Sequence, residues 1–292
     1  MKLAVAVLAS LFVLGSALLM LSSEHRLRGD YAPFGQCPLG DSATTLCLFT
    51  QTKGGEFIVG EKTVPISKTI TLQGGVHVIE NKEKEIVKDE FIGAKNGETL
   101  SKTPQVVPGG LLGTVDPDLL PMGLREIDDE FIDNGITDVT ATIELAAPAS
   151  SIGIDVQDLV EGEGAALSLP VRVKLSNAFL GESCYIGSDA HPISLPLTTG
   201  KTNPPKPNEP IKGKVGKAKF KDEYNLTTIR VSSLVNNSFA EPEAKGCGGI
   251  LSFLIDPAVN AELGLPATAG HNTAILDGTL QDANAPAVKA SE

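Results

Sequence analysis

The chain has no tryptophan, and aromatic residues make up only 4% of it. A core built from it must be aliphatic, packed from Val, Ile, Leu and Ala. A spanning β-barrel with aromatic girdles at both interfaces is the weakest of the envelope readings on the same ground. Positive charge is scarce: 24 Lys and Arg stand against 36 Asp and Glu, a net charge of −12. Binding a phosphate backbone needs a basic footprint, so nucleic acid is not an expected partner. Acidity of this kind serves solubility.

Catalytic signatures are missing as well. There is no G-x-S-x-G elbow, no S-x-x-K, no H-E-x-x-H and no C-x-x-C. Gly200-Lys201-Thr202 ends like a phosphate-binding loop, but Leu195 stands where the first glycine belongs, and Pro204 and Pro205 forbid the helix that should follow. Ser188, Asp189 and His191 are neighbours along the chain, whereas a triad converges from separated elements. The acidic run at residues 126–133 fails the calcium-loop template, because Ile132 occupies a ligand position before Gly135. His77 reads as a solvent-facing strand histidine. The sequence nominates no catalytic residue, no cofactor and no metal site.

What is present begins at the N-terminus. Lys2 precedes an apolar run over residues 4–21, and polar residues follow it. That is the layout of a signal peptide over 1–23, with cleavage after Ala17 or Ser23, or of an uncleaved anchor. Export to an oxidising compartment makes the four cysteines disulfide candidates. Cys37 and Cys47 flank a turn at Pro38-Leu39-Gly40-Asp41, so they form the local pairing, with Cys184–Cys247 as the long one. Three connectivities remain open.

The body reads as short strands between Gly- and Pro-rich turns. Residues 44–50 and 56–60 form separate runs, and 69–72 and 76–80 suggest a hairpin about Gly74-Gly75. Residues 137–146 (TDVTATIELA) alternate, placing Thr140, Thr142 and Glu144 on a wet face. Residues 169–175 repeat the device with Arg172 and Lys174 outward. Lysines at 212, 214, 217, 219 and 221 mark a defended sheet edge with a bulge near Gly216, or alternatively an anion-binding face. Residues 226–235, 250–255 and 273–280 read as strands. Asp256 as N-cap, Pro257 and a Gly264 stop define one helix near 257–263.

The expected fold is all-β, mostly antiparallel and sandwich-like, with a signal helix and that short C-terminal helix. The regions are 31–110, a crossover at 111–136, a β-domain at 137–282 and a loose tail at 283–292. An echo of Gly55-Glu56 and Pro65-Ile66-Ser67 in Gly181-Glu182 and Pro192-Ile193-Ser194 hints at two related halves.

Several strings, at residues 97–105 (GETLSKTPQ), 107–113 (VPGGLLG), 184–187, 197–200, 238–249 and 256–276, resemble a group of uncharacterised secreted proteins of actinobacterial type. The resemblance implies export and surface association. It carries no activity, so it transfers no site residue. The leading expectation is a secreted or cell-envelope protein with a non-enzymatic structural or binding role. Its partners would be a cell-wall polymer or an envelope protein, and the membrane only through an uncleaved N-terminus. A secreted glycoside or ester hydrolase, its site assembled from distant residues, is the alternative. An envelope pore comes third.

Overall fold

The computed structural model describes residues 27–81, 86–111 and 139–292. The signal segment, the tip at 82–85, the acidic run and nearly all of the 111–136 crossover lie outside the described residues. Among the described residues fourteen strands form one connected sheet, and every pairing is antiparallel. They are β1 (Leu46–Val59), β2 (Lys62–Pro65), β3 (Ile70–Asn81), β4 (Ile86–Gly93), β5 (Gln105–Val106), β6 (Thr140–Leu145), β7 (Gly153–Ile154) and β8 (Leu167–Ser176). β9 (Tyr185–Ile186), β10 (Ile193–Leu197), β11 (Lys217–Lys221), β12 (Leu226–Asn236), β13 (Ala244–Lys245) and β14 (Thr273–Asn284) complete the set. The main path runs β11-β12-β14-β1-β3-β4-β7-β8-β6-β5 and is not closed among the described residues.

Two strands organise this sheet. β1 pairs along its length with β14, and its other edge takes first β3 and then β2. β8 takes β10 and β9 on one edge and β7 and β6 on the other. Its alternation is complete: Leu167, Leu169, Val171, Val173 and Leu175 are buried, and the residues between them are half-exposed. Pro170 is tolerated inside β8 because its carbonyl accepts from Ala146 N–H. Its missing N–H therefore faces the break between β7 and β6. Both wings feed one aliphatic core, in which Leu48 and Leu72 join Leu167, Leu169 and Leu195. The sheet is thus sandwich-like while remaining continuous through β4, β7 and β8.

Several local expectations change. Gly74 and Gly75 do not turn the chain; both lie inside β3. A Cβ on Gly74 would sit 2.4 Å from Ile92 O, so the glycines permit close approach of β4. Residues 44–50 and 56–60 are parts of one strand, β1, joined through a bulge at Lys53. Residues 250–255 are not a central strand. Residues 250 and 251 lie in a 3-10 turn and 252–255 open helix α2 (Ser252–Leu263); α1 (Val156–Glu161) precedes it in the chain. Asp256 is therefore inside α2 and not its N-cap, while Gly264 does end it in a left-handed conformation. The tail is not loose. α3 (Ala285–Ala290) buries Val288 completely, in a small cluster with Phe34, Leu226 and the Cys37–Cys47 bridge. Pro65 ends β2 whereas Pro192 precedes β10, so the two echoed strings hold different places in the sheet.

Both disulfides take the expected pairing, Cys37–Cys47 and Cys184–Cys247. The Asp256 carboxylate accepts from Gly246 N–H at 3.1 Å and from Cys247 N–H at 2.7 Å, fixing the loop that carries the second bridge.

Candidate functional site

Glu144 on β6 stands directly opposite Arg172 on β8. Arg172 Nε and Nη2 donate to Glu144 Oε2 at 3.3 and 3.1 Å, and Nη1 donates to Asp189 Oδ1 at 2.6 Å. The guanidinium also lies 4.7 Å above the Tyr185 ring. Glu144 is only 7% exposed, which corrects the expected wet face at Glu144 and at its equally buried neighbour Thr142. Glu144 Oε1 lies 3.9 Å from Lys102 Nζ, beyond hydrogen-bond length.

Glu144 and Arg172 floor a surface groove of about 690 Å³, within the usual range for ligand clefts. The loop from Asn96 to Thr103 makes one wall and Ala147, Pro148 and Ala149 the other. The loop is tied down along its length. Asn96 Oδ1 accepts from Glu98 N–H, Thr99 Oγ1 from Ala94 N–H and Ser101 Oγ from Thr71 N–H. Glu98 and Glu144 are balanced there by Lys102 and Arg172, so the groove as a whole favours neither sign of charge.

A second groove, of about 640 Å³, contains His77, Asp89 and Glu90. A histidine meeting two carboxylates would point to hydrolysis. Here Glu90 is the cross-strand partner of His77, and Asp89 is paired with Val78, so the two carboxylates point to opposite faces. Glu90 is taken up by Lys88 at 2.6 Å. Asp89 Oδ2 accepts from Val156 N–H at 3.2 Å, and burial pushes its carboxyl above the usual range. Ser188 and His191 close a turn through their own backbone, while Asp189 serves Arg172. No group of three or more potential metal ligands gathers among the described residues.

Lys217, Lys219 and Lys221 of the lysine run lie on exposed β11, an end strand of the sheet path, while Lys212 and Lys214 precede it in isolated bridges. The bulge lies not at Gly216 but across from it, at Val231 on β12. Lys221 pairs with Asp30 at 2.6 Å, and Tyr31 donates to Asp222, so the edge hairpin is clasped to the N-terminal 3-10 turn.

Two smaller cavities lie against the core. One, of about 70 Å³, lies between the wings of the sheet; the other, of about 40 Å³, lies beside Gln105 and Glu241. Phe57, Ile143 and Leu195 line both. Glu241 is 4% exposed, and its Oε2 has no hydrogen-bond partner among the described residues.

Sequence reasoning missed Glu144, Arg172 and Glu241 as a set. The first two left a trace, opposite charges in the outward phase of two alternating strands, which cross-strand pairing would join. Glu241, between Ala240 and Pro242, left none. Comparison with protein-family models, with curated proteins and with solved structures finds no match.

Proposed function

We propose that this is an exported, non-enzymatic binding protein of the cell envelope, and that the groove floored by Glu144 and Arg172 takes a neutral, hydroxyl-rich chain such as a wall polysaccharide. One observation carries the reading. Glu144 is buried and held rigidly through Oε2, while Oε1 is left as a fixed acceptor beside a tethered polar wall. A preorganised acceptor of this kind suits hydroxyl donors. The charge balance of the walls disfavours a strongly anionic polymer.

Two disulfides are compatible with life outside the cytosol. No helix among the described residues is long and apolar enough to cross a membrane. The separation of His77 from a second carboxylate supports binding over hydrolysis. The sheet, open among the described residues, supports it over a pore, since a spanning sheet must close on itself.

Affinity electrophoresis through gels containing neutral or anionic wall polysaccharide tests this. The wild type should be retarded by the neutral polymer, and Ala147→Trp, which fills the groove from its rim, should run freely. Equal mobility of the two proteins in the neutral gel would remove the groove from consideration.

A further inference from the structure

We propose that the β11–β12 hairpin is a docking element that seats the protein on an anionic lipid bilayer. The charge of the hairpin opposes that of the chain. Residues 210–230 carry five lysines and one arginine against two acids, a local charge of +4 in a chain of −12. Lys212, Lys214, Lys217, Lys219 and Arg230 are all exposed. Lys217 stands opposite Arg230 across the strand pair, and Lys219 follows two residues on, so these three share one face. Charges elsewhere on the surface are screened beyond about 10 Å at ordinary ionic strength. A negative surface that touches the hairpin therefore meets its lysines and not the acidic remainder.

The hairpin also exposes aromatic rings. Phe220 is 53% exposed and Tyr224 is 77% exposed, and their ring centroids lie 5.4 Å apart. Phe220 alternates with the lysines and takes the other face of β11. A lysine edge defends a sheet against pairing, but that defence has no use for exposed rings. An acidic polymer in water pairs with the lysines and offers the rings little. The headgroup layer of a bilayer takes both together, the ammonium groups beside phosphates and the rings at the boundary of the acyl chains.

The tip is rigidly built. Asp222, Glu223 and Tyr224 are successive left-handed residues, with φ at 48°, 50° and 71°. Non-glycine residues hold that conformation only where their surroundings enforce it. Here the Tyr31 hydroxyl donates to the Asp222 carboxylate, and Asn225 N–H donates to Asp222 O at 2.8 Å. Asn284 Nδ2 donates to Asn225 Oδ1 at 2.8 Å, and Leu226 at the root is 2% exposed. Tyr224 is thus presented from a fixed support.

The clasp to the N-terminal turn sets which side faces the membrane. Lys221 and Asp30, with Tyr31 and Asp222, fasten the hairpin close to Leu27, where the described chain begins. In the sequence the apolar run at 4–21 ends shortly before this point, and Arg26 and Arg28 follow it. An uncleaved run would enter the bilayer beside the hairpin, although docking of the hairpin does not depend on it.

The test exploits the absence of tryptophan. Tyr224→Trp in the full oxidised chain places a single fluorophore at the tip. Vesicles of phosphatidylglycerol and phosphatidylcholine in equal parts should shift its emission to shorter wavelength, and brominated acyl chains should quench it. Vesicles of phosphatidylcholine alone should leave the emission unchanged, whether or not the N-terminal run holds the protein on them. About 1 M salt should reverse the shift. Adding Lys217→Gln and Lys219→Gln removes two attractions, each worth about fivefold in partition, and should abolish the shift at the same lipid concentration. An unmoved emission on the anionic vesicles would overturn the proposal. So would an equal shift on phosphatidylcholine, or a shift that soluble polyphosphate reproduces without lipid, which would make the face a polyanion site. The groove at Glu144 shares no residue with the hairpin, so each reading stands or falls alone.

Discussion

Lys53 and Val231 are each the extra residue of a β-bulge, and the two bulges flank the same residue, Gly278 on β14. On one side Thr52 faces Gly278 and Gly54 faces Asp277; on the other Arg230 faces Thr279 and Ser232 faces Gly278. A bulge bends its strand and increases local twist. Two at one level bend three adjacent strands together. Gly278 allows this, since a Cβ there would lie 2.0 Å from Gln51 O. Phe57 and Leu276, which lie past this level, line the interior cavity.

Val231 holds φ at +59° although it is β-branched, and it is 66% exposed. The left-handed conformation costs such a residue about 1–2 kcal/mol. Val231→Gly should therefore raise the thermal midpoint slightly, because relief of strain outweighs the ~0.5–1 kcal/mol usually lost to glycine entropy. Elsewhere in a strand the same change lowers it. Gly278→Ala should be strongly destabilising. Differential scanning calorimetry of both variants checks the pair, and a midpoint several degrees lower for Val231→Gly would show the bulge to be unstrained.

This level also shows what the sequence makes legible. Strict alternation in residues 169–175 identifies β8 because its inner phase is buried without exception. The cysteine spacing and the Gly264 stop are local signals, and both were readable. Gly54-Gly55 and Gly74-Gly75 look like turns to any local rule. Their reason is non-local: a Cβ at Gly55 would collide with Ile275 O, and one at Gly74 with Ile92 O, both on neighbouring strands. Residues 250–255 misled for another reason. An apolar run of six residues fits a buried strand or a helix equally well, and here the helix continues through Pro257 to Leu263. Glu144 was placed in water by a correct period, but the groove walls that cover it come from residues 96–103 and 147–149.

Glu144 and Arg172 form a cross-strand pair in which the carboxylate is buried and the guanidinium is shared with Asp189. Removing one partner of a buried pair leaves the other charge uncompensated, at a cost of about 3 kcal/mol. Arg172→Leu should lose roughly that much stability. The double variant Glu144→Leu with Arg172→Leu should recover most of it, because no buried charge remains. Urea midpoints of the two single variants and the double variant give the coupling directly. Additive losses would mean that Glu144 is solvated in the folded protein.

Burial raises the Glu241 carboxyl to about 8, and burial, opposed by a hydrogen bond with Thr227, raises Asp282 to about 6. Each group keeps its proton in the folded chain over a range where the unfolded chain has released it. The stability linked to that proton is complete below pH ~4 and falls as pH rises, until about pH 6 for Asp282 and about pH 8 for Glu241. The slope is about 1.4 kcal/mol per pH unit for each group. Between pH 6 and 8 Glu241 acts almost alone. Glu241→Gln should therefore flatten the decline over that interval and be the more stable protein at pH 8. Urea unfolding at pH 6, 7 and 8 measures it, and parallel slopes for the two proteins would show that Glu241 does not hold its proton.

Asp256 and the Cys184–Cys247 bridge act on one loop from two sides. The bridge closes 63 residues and should contribute about 4 kcal/mol by chain entropy. The Asp256 carboxylate satisfies two amides of the same loop, at Gly246 and Cys247. Its removal should cost about 2–3 kcal/mol while the bridge holds those amides against α2. Without the bridge the loop can turn the amides to water, so the aspartate then has less to offer. Asp256→Ala should therefore be severe in the oxidised protein and cost less than about 1 kcal/mol in the Cys184→Ala/Cys247→Ala background. Equal costs in the two backgrounds, measured by urea denaturation, would show that the loop stays docked through α2 alone and that the bridge acts only on the unfolded chain.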